Sequence, residues 1–445
     1  MILPELNAKN VALGAQHTLA MFGSTVLVPL ITGMSPAVAL FTAGIGTLLF
    51  HLCTKGMVPV FQGSSFAFIP ALCVIIGKSA DQALTAHNIQ LAQSGIIAAG
   101  LVYFAFALVA KLAGPQFIRK IFPPVVTGPV IVIIGLSLTG VGIKDSLDLY
   151  ANPNFDFHTL KSALIALFTF CVIVACMNRR KGIFQLIPIL IGIAAGYLLC
   201  LVLGAFGLFK MDFSPIAAAP WFNVPFRNHF LSLPILDWSA ISLIAPIAIV
   251  TFMEHLGDIT TNGAVVGKDF FKDPGIHRTL MGDGLASIAA GLLGGPASTT
   301  YSENTGVLAT TKNYNPAILR LAACFAIILA LFGKFGAFLQ TIPAPVKGGI
   351  ELVLFGMIAA IGIRLICEAK LDMTDSRNLT IMAGTLCVGI GIGALNDGVI
   401  PIVFSAGFKL SLSGLFVATI VGVVMNLLLP RTAQNPATQE AKQDA

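Results

Sequence analysis

Charge is what this 445-residue chain most lacks: Asp, Glu, Lys and Arg make up 10% of it, against roughly 25% in an average soluble domain. With 56% of its residues hydrophobic and a mean hydropathy of +0.89, no soluble fold covers that much apolar surface. The short alternating segments of a transmembrane barrel are absent too. No CxxC pair occurs among Cys53, Cys73, Cys171, Cys176, Cys200, Cys324, Cys367 and Cys387. They read as small buried hydrophobes, neither disulfides nor metal ligands. There is no HExxH, GxSxG or Asp-rich metal motif, which leaves a membrane-embedded enzyme as a remote alternative only. Gly291 to Gly295 contain no phosphate loop. Met1 to Asn10 lack the basic stretch and cleavage site of a removable signal peptide, so the first apolar run is expected to persist in the mature protein.

What is present is a series of apolar runs, such as Ser162 to Cys176, Ile183 to Phe206 and Leu410 to Leu429. About 20 apolar residues match the hydrocarbon core of a bilayer, and there the backbone must satisfy itself as helix. Segments are expected near 11–30, 37–53, 58–75, 94–112, 124–142, 159–177, 183–207, 239–262, 279–296, 302–312, 316–338, 344–364, 378–395 and 410–429. With the N-terminus in the cytoplasm, inner connections carry Lys55, then Lys111, Arg119 and Lys120, then Arg179, Arg180 and Lys181, then Lys268, Lys272 and Arg278, then Arg364, Lys370 and Arg377. The opposite connections, Lys144 to His158 and Phe206 to Trp238, are poor in basic residues. This asymmetry follows the positive-inside rule. It accounts for much of the net charge of +6 without nucleic acid, and places both termini in the cytoplasm.

A repeat divides the chain. Pro124-Val125 runs on to Gly128 and Gly135, and Pro345-Val346 to Gly349 and Gly356, at one constant offset. An odd number of segments separates the copies, so they are expected in opposite orientations, as in inverted-repeat transporters. Pro124 and Pro345 are expected as hinge-side kinks. Segments three and ten are interrupted at Gln62–Phe68 and Ala297–Glu303, each small and polar, then aromatic. Ser and Thr beside an aromatic favour extended backbone. Paired discontinuities of this kind point to a substrate site near the membrane midplane, where half-helix N-termini present N–H groups.

Acids inside a membrane are costly and mark function by default. Glu254 and Asp258, four residues apart, project from one helical face. Carboxylates that close disfavour simultaneous ionisation, so one is expected to hold a proton, as proton symport requires. Glu303 would stand at the start of the half-helix in segment ten, where negative charge is favoured.

Glu303-Asn304-Thr305-Gly306-Val307-Leu308-Ala309-Thr310-Thr311-Lys312 resembles the signature of the nucleobase–ascorbate transporter family, and Gln16-His17 resembles that family's second hallmark. Phe22 to Pro29, Gly63 to Phe68 and Asp273 to Arg278 look like bacterial uracil permeases, and the resemblance covers essentially the whole chain. It implies an all-α polytopic protein of about fourteen segments in a 7+7 inverted repeat, with short antiparallel strands in segments three and ten. A core domain would comprise 1–122 and 239–338, and a gate domain 123–238 and 339–430, followed by a polar cytoplasmic tail at 431–445. The gate domain would mediate a homodimer in the bacterial inner membrane. Carried over, Glu254, Glu303, Phe66, Tyr301 and Ser302 would bind the base, and Asp258, Glu254 and Glu303 would couple the proton. Gln16, His17, Asn304 and Phe355 would support them. No cofactor or metal is implied.

Uracil offers two N–H donors and two carbonyl acceptors, which suits acids facing helix N-termini. In the family's pattern, Glu at the position of Glu303 goes with pyrimidines and Gln with purines. Asp258 and Phe355 stand where similar uracil permeases have His and Tyr, and a purine or xanthine permease is the alternative that this departure keeps open.

Overall fold

The computed structural model of the chain describes residues 3–76, 86–179, 184, 187–225, 234–395, 398–403 and 409–430. The expected tail at 431–445 and the basic residues Arg180 and Lys181 lie outside the described residues. The chain runs through α1 (Ala8–Thr32), α2 (Pro36–Cys53), β1 (Gln62–Ser64), a 3-10 turn (Phe66–Phe68), α3 (Ile69–Ile76), α4 (Ala86–Ala113), α5 (Pro115–Ile121), α6 (Pro124–Ser146), α7 (Phe157–Met177), α8 (Pro188–Ala205) and α9 (Ser214–Ala218). It continues through α10 (Trp238–Ile244), α11 (Ile247–Val266), α12 (Ile276–Leu292), β2 (Ser298–Thr300), α13 (Ser302–Thr311), α14 (Pro316–Leu331), α15 (Gly333–Gln340), α16 (Ala344–Glu368), α17 (Ser376–Gly393), β3 (Val399–Val403), β4 (Lys409–Ser413) and α18 (Gly414–Leu428).

Among the described residues, eight helices are long and apolar enough to cross a membrane by length and composition. Phe66–Ile76, Pro316–Leu331 and Gly414–Leu428 are apolar but shorter. Large apolar side chains such as Leu101, Leu108, Leu164, Leu198 and Leu427 are exposed on helix surfaces, the arrangement that lipid rather than water permits. This is a mostly helical, multi-pass membrane protein.

Local chemistry sets the helix ends. Ser35 accepts a hydrogen bond from Val38 N with Pro36 opening α2, and Asp237 accepts from Ala240 N at the start of α10. Such caps satisfy backbone donors that the first turn leaves over. Pro124 and Pro345 do not kink their helices: both sit in the first positions of α6 and α16, after extended Pro123 and Pro343. Proline is preorganised there, and its missing N–H would have had no partner. Segment fourteen is shorter than expected, because its first residues belong to a strand, β4, that pairs antiparallel with β3, Val399 opposite Ser413 and Val403 opposite Lys409. No disulfide forms among the described residues, but only Cys176 and Cys200 are buried, while Cys171, Cys367 and Cys387 are exposed on their helices. An apolar outer surface hosts them at no cost.

Hydrophobic attraction does not drive helices together in lipid, so close packing does. A Cβ on Gly362 would lie 2.7 Å from Gly128 O, one on Gly135 2.5 Å from Phe355 O, and one on Gly142 3.2 Å from Leu352. As the chain rises along α6 it meets descending positions on α16, so the two helices are antiparallel. The same holds for α12 against α4, where Gly284 faces Gly100 and Gly291 faces Ile97. β1 and β2 pair antiparallel as well, with Gln62 opposite Thr300, Gly63 opposite Thr299 and Ser64 opposite Ser298.

Candidate functional site

The site grows from the crossing of β1 and β2. Beyond the three paired residues, Ser65 N donates to Ala297 O at 2.9 Å and Tyr301 N to Phe61 O at 3.0 Å. Each strand then turns directly into helix, at Phe66 and at Ser302, where backbone N–H groups have no intrahelical acceptor. Tyr301 locks the junction: its hydroxyl donates to Ser64 O at 2.8 Å, and its ring lies where a Cβ on Gly63 would be. Glycine at 63 is therefore a steric requirement of the Tyr301 ring.

Glu303 stands in the first turn of α13, half-buried. Ser24 on α1 donates to its Oε1 at 2.6 Å. The next residue, Asn304, is fully buried, and its Nδ2 lies 3.1 Å from His17 Nδ1 and 3.0 Å from His17 O. An amide N–H facing Nδ1 makes that nitrogen an acceptor, so His17 serves as a neutral packing partner holding α13 to α1. Gln16 is half-buried beside it on α1.

From the opposite side, α11 presents Glu254 and Asp258, both half-buried. Thr300 on β2 donates to Asp258 Oδ2 at 2.8 Å. Glu254, Asp258 and Glu303 lie within electrostatic reach of one another. The structure thus brings three acids, two helix N-termini and the Tyr301 ring to one place. Phe66 meets the fully buried Phe355 of α16 edge-on, with ring centroids 6.3 Å apart and an interplanar angle of 81°. Ser302 is the first residue of α13 and half-buried. Among the described residues no group of three or more His, Cys, Asp or Glu is arranged to hold a metal ion.

Sequence reasoning did not single out Ser24, Thr300 or Gln62 as partners of the acids. All three lie in stretches whose composition stood out, but a short polar side chain in an apolar run does not reveal what it faces across the fold. His255 and Asp283 gave less signal still.

A family model described as Permease family matches residues 8–398. The chain is 40% identical over 436 residues to the "Probable uracil permease" of Pasteurella multocida, covering 98% of this chain and 97% of that protein. It is 40% identical over 435 residues to the uracil permease of Bacillus subtilis, covering 96% and 94%. Among solved structures, the transmembrane domain of a cyanobacterium bicarbonate transporter, BicA, shares the fold with a TM-score of 0.63 at 16% identity, over 94% of this chain and 97% of that one. The family and these relatives are permeases, transporters rather than enzymes. The chain belongs to this permease family, the nucleobase–ascorbate transporters.

Proposed function

We propose that the protein is a proton-coupled symporter that brings uracil into the cell by alternating access. The observation that carries this reading is the meeting of Glu254 and Glu303 across the crossing, one on a continuous helix and one where a broken helix restarts. Two carboxylates accept the ring N–H groups of a flat base, while backbone N–H groups at Phe66 and Ser302 donate to its carbonyls. Phe66 and Tyr301 flank the ring. Asp258, joined to the strand by Thr300, belongs to the same charge cluster and takes part in proton coupling. Neutralising one acid lowers the cost of moving the loaded site through a low-dielectric barrier.

In this reading, residues 1–122 and 239–338 form the core domain and 123–238 and 339–430 the gate domain, making fourteen spans as two inverted halves. The antiparallel α6–α16 and β1–β2 pairs support it. The gate domain forms a homodimer in the bacterial inner membrane, with both termini cytoplasmic. Uracil permeases among the relatives favour uracil. Asp258 and Phe355 favour a second reading, a purine or xanthine carrier of the same family. Uptake of radiolabelled uracil by a transport-deficient host, with unlabelled uracil, thymine, xanthine, hypoxanthine and uric acid as competitors across pH, separates the two. Uptake of radiolabelled xanthine with none of radiolabelled uracil would overturn the first.

A further inference from the structure

Behind the crossing lies a polar cluster that the proposed symport does not use. His255, next to Glu254 on α11, is fully buried, as are Asp283 and Thr279 on α12 and Gln62 on β1. His255 Nδ1 lies 2.8 Å from Asp283 Oδ2, and His255 Nε2 lies 2.8 Å from Thr279 Oγ1. Gln62 Nε2 donates to Asp283 Oδ1 at 2.6 Å. The Thr279 hydroxyl itself donates to Ile276 O at 2.9 Å.

A hydroxyl has one proton to give. With that proton committed to Ile276, Thr279 can only accept from the ring, which places a proton on Nε2. At the other nitrogen, a bare lone pair 2.8 Å from a carboxylate oxygen would be repelled, so a second proton lies between Nδ1 and Oδ2. Neither atom is in a well-aligned hydrogen bond. An O–H···N bond weakens steeply with misalignment, whereas charge attraction does not. The donor from Gln62 also favours the carboxylate form.

We propose that His255 is kept as an imidazolium paired with the Asp283 carboxylate, neutral as a unit, and that this pair, tied to β1 through Gln62, positions the strand crossing against α11 and α12. The groups that face it are Thr279 and Asp283 from α12, Gln62 from β1, Glu254 and Asp258 on α11 itself, and Tyr103 from α4. Tyr103 lies within electrostatic reach of Asp283 and Glu254 and donates to Thr251 Oγ1 at 2.6 Å. The ring that holds its proton throughout carries none across; that task stays with Glu254, Asp258 and Glu303. The positioning role rests on the symport reading, whereas the protonation state does not.

The test is nitrogen-15 NMR of the full-length protein labelled at histidine, at neutral pH, with and without uracil. Replacing His255 by Asn, or each of the other six histidines in turn, assigns the signals. Both ring nitrogens of His255 are expected to be protonated in either condition, and one protonated and one bare nitrogen would overturn the proposal. Gln62→Leu is then expected to weaken uracil binding about tenfold, the loss of one bond to a charged group, with the His255 spectrum unchanged. Wild-type affinity in Gln62→Leu would overturn the positioning role. A wild-type protein that shows the imidazolium but binds no uracil refutes the substrate reading and leaves the ion pair standing.

Discussion

Ser24 Oγ donates to Glu303 Oε1 at 2.6 Å, although the two residues are 279 positions apart in the chain. The bond ties the start of α13 to α1 and occupies one oxygen of the acid, leaving the other for a substrate N–H. A hydrogen bond to a charged group contributes about 1.5–3 kcal/mol. Ser24→Ala is therefore expected to weaken uracil binding by about tenfold or more, while thermal stability and expression change little. Calorimetric titration of the purified variant checks this.

Gly63→Ala places a methyl group in the Tyr301 ring. Overpacking of this kind costs about 1–3 kcal/mol and displaces the ring that locks the crossing. Uptake should be lost and the melting temperature should fall. Adding Tyr301→Ala should return much of the stability but none of the transport, a coupling that a double-mutant cycle reads directly.

Thr300→Val removes a hydroxyl of nearly the same shape that donates to Asp258 Oδ2 at 2.8 Å. Because Asp258 is assigned to proton coupling rather than to the base, the pH profile of uptake should change while uracil affinity stays within about threefold, less than the loss of one bond to a charged group. Thr300→Ser, which keeps the donor, should behave as wild type. An unaltered profile in Thr300→Val removes Asp258 from the proton route.

At the α6–α16 crossing, a Cβ on Gly135 would lie 2.5 Å from Phe355 O and 2.6 Å from Ala359 N. Backbone cannot swing aside as a side-chain tip can, so Gly135→Leu should drive the helices apart and abolish stable expression. The same change at Gly140, where a Cβ meets nothing within 4 Å, should be tolerated. Detergent-solubilised yield and melting temperature distinguish the two.

Class and helical character were legible in the sequence because lipid imposes one rule on every span: apolar side chains outside and backbone bonds inside. The interrupted stretches around Gln62 and Ala297 stood out because small polar residues occupy positions where a continuous span would be apolar. Glu254, Asp258 and Glu303 stood out because charge is so scarce. The Ser24–Glu303 and Gln62–Asp283 contacts were not legible, since each joins residues more than two hundred positions apart. The β3–β4 pair escaped because five residues in each strand give too short a pattern beside the apolar run that follows. Pro124 and Pro345 misled because a proline that opens a helix and one that bends it look alike until the first turn is seen.

If Glu254 and Glu303 jointly grip the base, equilibrium binding of radiolabelled uracil must differ sharply between purified wild type, Glu254→Gln and Glu303→Gln. The amide keeps the shape of each side chain but replaces a charged acceptor. Wild type is expected to bind measurably and each variant to lose about a hundredfold in affinity, with folding intact by melting temperature. Wild-type affinity in either variant would contradict it.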